Sequence, residues 1–156
     1  MKPTNVTRLL EQRKIAYTAF ELPAEKLGAV EAAQYLGVAP SLVYKTIVVT
    51  REGKGKPILA VVPGDREVDL KTLASALGEK KVYLPTEREA ERMTGLQAGG
   101  ISPLALINKG FQVVIDAPAQ ALPEIYVSGG QRGLNIRLAP SSLASLTNAH
   151  FATMSR

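Results

Sequence analysis

Lys45 is the residue least expected from its surroundings, and it is the first candidate for chemistry. It stands in Val43-Tyr44-Lys45-Thr46-Ile47-Val48-Val49, a run with the composition of a strand. Strand alternation places Lys45 on the same face as Val43, Ile47 and Val49. An ammonium there needs a counter-charge, water or an anionic ligand. The alternative is a strand-end lysine whose stem lies on the core and whose ammonium reaches solvent, and the strand alone favours that alternative.

Two glycine-rich turns offer backbone donors that could serve an anion or a carbonyl oxygen. Paired glycines stand beside a serine in Gly99-Gly100-Ile101-Ser102-Pro103 and again in Val127-Ser128-Gly129-Gly130. Glycine lets a ligand approach the backbone N–H groups closely. Neither turn has the pattern of a P-loop or of a dinucleotide-binding loop. Ordinary turn chemistry is the alternative for both, with Ser102 and Ser128 as hydrogen-bonding turn residues.

The residue types that usually act as nucleophiles or metal ligands are scarce. The chain has no cysteine and one histidine, His150, near its C-terminus. A serine–histidine pair or a histidine-based metal site would therefore depend on that single residue. Asp65, Asp69 and Asp116 are too dispersed in sequence to indicate a carboxylate pair. The sequence predicts neither a protein-borne nucleophile nor a metal site, and it identifies no general base.

The composition is that of a small globular protein. The chain has 156 residues, 46% of them hydrophobic, which favours one domain spanning residues 1–156. The absence of cysteine and of a signal-like or membrane-length apolar run predicts a cytoplasmic protein without a membrane association. Nineteen basic residues against 14 acidic ones give a net charge of +5. This charge favours a polyanionic partner only weakly, because the basic residues are scattered.

Caps and turn residues divide the chain into alternating helices and strands. Helices are predicted after Thr4, at 29–36 before Gly37, at 70–77 between Asp69 and Gly78, from Thr86 to about Thr94, and near 141–146. Strands are predicted at 15–21, around Lys45, and at 57–62, 82–84, 111–115, 125–128 and 135–138. The short link at 53–55 predicts a hairpin between the strand of Lys45 and the strand at 57–62. Because no regular βαβ repeat appears, the fold class is α+β with a mainly antiparallel or mixed sheet.

Four motifs in this order resemble a known family over nearly the whole chain. They are Val43-Tyr44-Lys45-Thr46, Gly99-Gly100-Ile101-Ser102-Pro103, Ile115-Asp116-Ala117 and Tyr126-Val127-Ser128-Gly129-Gly130-Gln131-Arg132-Gly133. Together they are similar to the YbaK family of free-standing aminoacyl-tRNA deacylases, which is related to the editing domain of bacterial prolyl-tRNA synthetase. The likeness is greatest to the branch that removes cysteine from proline tRNA.

The resemblance implies a function and a set of site residues. Lys45 would be the catalytic residue and act electrostatically, with the substrate thiol attacking its own ester carbonyl. The resemblance implies no cofactor; the partners would be aminoacyl-tRNA, in particular tRNA(Pro), and a prolyl-tRNA synthetase. The substrate-binding residues would be Phe20, Thr46, Gly100, Ile101, Ser102, Ser128, Gly129, Gly130 and Asn135.

Three departures from the family pattern leave the acyl specificity open. Phe20 stands where the cysteine-acting relatives carry tyrosine, Leu22-Pro23 replaces a more polar stretch, and Asn135 stands where aspartate is expected. Loss of a polar contact in the pocket could change the preference among small side chains. The alternatives are therefore a deacylase for alanine or serine, or a non-catalytic module that binds tRNA or a synthetase. A third interpretation gives Lys45 and the glycine turns a role in folding alone.

Overall fold

The computed structural model describes residues 1–53 and 55–156 and contains five α-helices and eight strands in those ranges. The helices are α1 (Asn5–Gln12), α2 (Ala29–Leu36), α3 (Leu70–Leu77), α4 (Glu87–Thr94) and α5 (Pro140–Thr147). The strands are β1 (Tyr17–Glu21), β2 (Tyr44–Arg51), β3 (Ile58–Pro63), β4 (Val82–Tyr83), β5 (Gln112–Asp116), β6 (Ile125–Ser128), β7 (Leu134–Leu138) and β8 (His150–Ala152). None of the helices in these ranges has the length and apolar character needed to span a membrane.

The helix boundaries follow local capping chemistry. The side chains of Thr4, Asp69 and Thr86 each accept a hydrogen bond from a backbone N–H in the first turn of α1, α3 and α4. Helices α2, α3 and α4 end at glycines with a left-handed backbone, as the sequence predicts. These interactions are local in sequence, which is why the predicted helix ends agree with the observed ones.

The strands form two sheets. One is antiparallel with the order β1-β7-β6, and the other has five strands in the order β4-β2-β3-β5-β8. In the second sheet β2 pairs antiparallel with β3 and β4, whereas β3–β5 and β5–β8 are parallel. The predicted β2–β3 hairpin and the mixed α+β class are confirmed. Lys54, in the predicted 53–55 link, lies outside the described residues.

The two sheets enclose the largest apolar core. Tyr44 and Val48 of β2 point into it, together with Val127 and Ile136 of the three-stranded sheet. Val49 and Ile47 point to the opposite face of β2, which packs against α3. Both faces of β2 are therefore covered, so the prediction that the Lys45 face is the more apolar one was only partly right. A third cluster joins Tyr126 and Phe20 to α2.

Candidate functional site

A cleft of about 640 Å³ opens where β2 meets the three-stranded sheet. Its wall combines β2, the ends of β6 and β7, the loop that leads into α2, the start of α4 and the first glycine turn. The predicted site residues in this wall are Lys45, Thr46, Ile101, Ser128 and Asn135. Other wall residues, which the sequence analysis did not single out, include Glu25, Lys26, Glu31, Leu84, Pro85 and Glu87. Glu31 lies in α2 and Glu87 begins α4, whereas the others lie in connecting segments.

Lys45 contributes to the cleft wall from β2, but its ammonium is paired. Its Nζ lies 3.3 Å from Oε1 of Glu67, a residue outside the cleft wall. The Lys45 side chain is 23% exposed and that of Glu67 is 77% exposed. The lysine is thus neither buried without a partner nor simply solvated. Its partner comes from the segment before α3, and no spacing in the sequence indicates this pairing.

Asn135 lies in the middle of a cross-strand row of three predicted site residues. In the strand register it is opposite Phe20 on β1 and opposite Ser128 on β6. Directly opposite residues project to the same face of a sheet, so the three side chains share one face. Asn135 and Ser128 reach the cleft wall. The strand pairing therefore brings together residues that are more than one hundred positions apart in sequence.

Phe20 lies behind this wall rather than in it. Its ring packs against Tyr126 with the ring centroids 5.7 Å apart, and the guanidinium carbon of Arg137 lies 5.3 Å from the ring centroid. Phe20 therefore does not contact the cleft directly in this structure. It forms one end of the row, opposite Asn135.

The two glycine turns contact each other. A Cβ atom at Gly100 would lie 2.9 Å from backbone atoms of Gln131, which shows how closely the two turns approach. Nε of Arg132 donates a hydrogen bond to the carbonyl oxygen of Ala98 at 2.8 Å. The glycines therefore allow two loops to pack backbone against backbone and fix the position of the cleft wall.

Three glycine amides of these turns are already used inside the protein. The N–H of Gly100 donates to the carbonyl oxygen of Gln97, that of Gly129 donates to the carbonyl oxygen of Leu134, and that of Gly130 donates to Oγ of Ser128. None of these three glycines lies in the cleft wall, whereas Gly99 does. The structure thus differs from the prediction that the N–H groups of Gly100, Gly129 and Gly130 face the substrate, because each of them donates within the protein.

The two predicted serines occupy different positions. Ser102 is fully buried, and its Oγ accepts a hydrogen bond from the N–H of Leu104 at 3.1 Å, where it caps a short 3-10 helix. Ser128 lies in the cleft wall, and its Oγ holds the N–H of Gly130 at 3.2 Å. Ser102 is a structural residue in this arrangement, whereas Ser128 is accessible to a ligand. Neither serine is hydrogen-bonded to a histidine.

Several buried polar atoms without a hydrogen-bond partner lie in the cleft wall. Within residues 1–53 and 55–156, five such atoms occur: Nε of Arg51 and of Arg137 outside the wall, and Oγ1 of Thr46, Oδ1 of Asn135 and the hydroxyl of Tyr44 on wall residues. Asn135 is only 7% exposed. Burial raises the pKa of Tyr44 to about 12, with Asp116 as a further contribution. Unpaired buried polar groups are rare and costly, so those in the wall are suited to hold a polar ligand.

An ion pair connects two parts of the cleft wall. Nζ of Lys26, in the loop before α2, lies 2.6 Å from Oε1 of Glu87 at the start of α4. Glu31 is also in the wall, and its Oε1 accepts the N–H of Gly28 at 3.0 Å. The wall therefore carries both signs of charge and matches a ligand with a cationic and an anionic group better than a simple anion.

Residues 24–146 match the family described as the aminoacyl-tRNA editing domain. A candidate Cys-tRNA(Pro)/Cys-tRNA(Cys) deacylase of Enterococcus faecalis is 40% identical over 151 residues, covering 96% of this chain and 91% of that protein. A proline–tRNA ligase of Trichlorobacter lovleyi is 30% identical over 116 residues, covering 74% of this chain and 20% of the ligase.

The solved structures agree with these sequence matches. The crystal structure of a candidate trans-editing enzyme for prolyl-tRNA synthetase superimposes with a TM-score of 0.81 at 26% identity. The superposition covers 99% of each chain. The likeness thus extends over the sheets that build the cleft as well as over the sequence motifs.

Proposed function

This chain belongs to the aminoacyl-tRNA editing domain family, as its resemblance to YbaK proteins predicted, and we propose that it is a trans-editing deacylase that removes cysteine from Cys-tRNA(Pro). The observation that carries the proposal is the match to a candidate Cys-tRNA deacylase along nearly the full length of both chains. The cleft supports it, because Lys45, Ser128 and Asn135 meet there on elements from both sheets. We treat residues 1–156 as one deacylase domain that works in the cytoplasm, where tRNA is charged.

The proposed reaction uses the nucleophile of the substrate. The cysteine thiol, as thiolate, attacks the carbonyl carbon of its own ester, and the ester C–O bond breaks. The products are a cyclic thioester and a tRNA whose ribose oxygen takes up the proton lost by the thiol. The negative charge that develops on the carbonyl oxygen is stabilised by the ammonium of Lys45 after it exchanges Glu67 for the substrate.

The protein's own contribution is then electrostatics and position. His150 lies on β8 and is not part of the cleft wall. Asn135, with an unpaired buried Oδ1, is placed to receive a donor from the acyl group. Thr46, Ile101 and Ser128 form the wall around it, and Phe20, Gly100, Ser102, Gly129 and Gly130 hold that wall in place.

The experiment compares purified protein on tRNA(Pro) charged with cysteine, alanine or serine. We expect cysteine to be released fastest, and Lys45→Ala to lower this rate by about a hundredfold. Lys109→Ala is the matched control, because Lys109 is an exposed lysine outside the cleft wall. No release of any acyl group above the spontaneous rate would contradict the enzymatic proposal. Normal activity of Lys45→Ala would remove Lys45 from the mechanism.

Two alternatives are distinguished by the same assay. Faster release of alanine or serine would identify a deacylase for another small acyl group, and the departures at Phe20 and Asn135 favour testing both. Salt-sensitive tRNA binding without release would identify a non-catalytic binding module. A prolyl-tRNA synthetase is the proposed delivery partner, since part of such an enzyme matches this chain. Acceleration of release by added synthetase would support that partnership.

A further inference from the structure

One edge of β2 is open inside the cleft. Pro63 lies opposite Tyr44 and has no N–H, and the carbonyl oxygen of Val43 accepts the N–H of Gly64 at 2.7 Å. Backbone groups in an antiparallel pair alternate in direction, so the odd-numbered residues of β2 bond to β3. The N–H and C=O groups of Thr46 and Val48 therefore point to the other edge, and both residues line the cleft.

In the part of the chain that the structure describes, neighbouring strands pair with that edge only at its two ends. At one end Val43 forms a single bridge to Tyr126 of β6, and the chain then turns away at Gly129 and Gly130. At the other end β4 pairs with Thr50 and Arg51. Within residues 1–53 and 55–156, no strand pairing or isolated bridge on this edge includes Thr46.

Pro85 explains why β4 stops. Continuing the register from Thr50 opposite Tyr83 would place Pro85 opposite Val48. Proline has no N–H to donate to the carbonyl of Val48, so the pairing cannot extend. Leu84 and Pro85 remain beside Val48 in the cleft wall. Thr46 and Val48 therefore lie outside both neighbouring pairings, and in the continued β4 register Val48 is opposite Pro85 whereas Thr46 lies beyond it.

We infer that the main chain of Thr46 binds the aminoacyl group of the substrate, which pairs with the edge of β2 in the way that a residue of a neighbouring strand would. This inference rests on the deacylase function proposed above. The N–H of Thr46 donates to the acyl carbonyl oxygen, and its C=O accepts from the α-ammonium group. An edge residue in an antiparallel ladder offers one donor and one acceptor side by side, and an α-aminoacyl ester carries the complementary pair on a single Cα.

The surroundings of Thr46 fit this ligand. Lys45 is its neighbour in the chain, so a carbonyl oxygen bound at the Thr46 N–H lies beside the lysine proposed to stabilise it. The unpaired Oγ1 of Thr46 and Oδ1 of Asn135 supply two further polar contacts in the same wall. The backbone would recognise what all aminoacyl groups share, which leaves discrimination between cysteine, alanine and serine to the side chains of the wall.

Amide hydrogen exchange measured by NMR tests the inference directly. The probe is cysteine joined by an amide bond to 3′-amino-3′-deoxyadenosine, which cannot be released as an ester. We expect the Thr46 amide to exchange at least tenfold more slowly when the probe is saturating. The Ile47 amide is the internal control, because it faces β3 and is already protected. Unchanged exchange at Thr46, or protection at Val48 alone, would overturn the assignment.

A backbone variant gives an independent readout. Thr46→Pro removes the outward N–H and leaves the β3 ladder intact, so we expect at least a tenfold weaker affinity for the probe with little change in Tm. Thr46→Val keeps the N–H, so we expect it to lose less affinity for the probe than Thr46→Pro. Ile47→Pro, which removes a ladder hydrogen bond, should lower the Tm clearly. If wild-type protein releases cysteine from Cys-tRNA(Pro) but does not bind the probe, the inference about Thr46 is wrong and the proposed function stands. If it releases no cysteine, the proposed function itself is contradicted.

Discussion

The ammonium of Lys45 lies 3.3 Å from the carboxylate of Glu67, a residue outside the cleft wall to which Lys45 belongs. Glu67 is mostly exposed, and ion pairs of this kind contribute about 0–1 kcal/mol to stability. The pair is therefore easily exchanged for a phosphate or for a developing oxyanion. Glu67 orients the lysine ammonium before substrate binds.

Removing the Glu67 charge should release Lys45 for substrate. We expect Glu67→Gln to bind tRNA about two- to fivefold more tightly at low salt, a difference that shrinks at high salt because exposed charges are screened. Glu124→Gln is the matched control, since Glu124 lies 3.5 Å from Arg137 in another exposed ion pair. Binding measured at two salt concentrations checks the prediction. An equal gain in tRNA affinity in both variants would show a general effect of removing negative charge rather than an effect at Lys45.

Asn135 is expected to contribute to activity at a cost in stability. Its buried Oδ1 has no partner, and such a group costs about 1–3 kcal/mol. Asn135→Leu, of similar size, should keep or raise the Tm and lower kcat/KM for Cys-tRNA at least tenfold. Asn135→Asp tests whether a carboxylate can replace the amide. A variant with unchanged kcat/KM would mean that this side chain does not contact the acyl group.

Gly100 should tolerate no side chain. A Cβ there would lie 2.9 Å from two backbone atoms of Gln131, so Gly100→Ala should cost about 1–3 kcal/mol in unfolding free energy. Gly78 is the contrasting control. Its φ is +69° and no atom lies near an added Cβ, so a substitution there lowers the unfolding free energy through the backbone conformation and not through a steric clash. Asparagine tolerates that backbone, so Gly78→Asn should cost less than Gly78→Ala, whereas Gly100→Asn should cost more than Gly100→Ala. Chemical denaturation measures all four.

The raised pKa of Tyr44 predicts a loss of stability at high pH. Its pKa is raised from 10.0 to about 12, mainly by burial, so between these values the folded protein keeps a proton that the unfolded chain has lost. The contribution is complete below pH 10 and is lost as the pH rises toward 12, with a slope of about 1.4 kcal/mol per pH unit. Tyr44→Phe should flatten this part of the profile. An identical slope in wild type and variant would assign the loss to other groups.

Local signals predicted the helices and most strands. The caps at Thr4, Asp69 and Thr86 act on the next few backbone groups, so their effect can be read from adjacent residues. The parallel pairs β3–β5 and β5–β8 could not be predicted in this way, because they join segments through long connections. The short strand β8 was missed entirely, since His150–Ala152 has no alternation long enough to recognise.

The site was predictable in part for the same reason. Lys45 and Ser128 were identified from motifs and Asn135 from the family resemblance, and all three lie in one wall. The roles of the glycine amides were not predictable, because their bonding depends on how each turn closes. Glu67 and the segment around Pro85 reach the site through tertiary packing alone, and the sequence offers no local signal for them.

The position of the open edge of β2 also limits edge-to-edge pairing between copies of the chain. Unpaired strand edges can recruit strands from other copies and begin aggregation when they are long, flat and accessible. Here the gap between the bridge at Val43 and the pairing at Thr50 is recessed in the cleft and is bounded at both ends by paired strands. The arrangement that exposes main-chain groups to a small substrate thus withholds them from other copies.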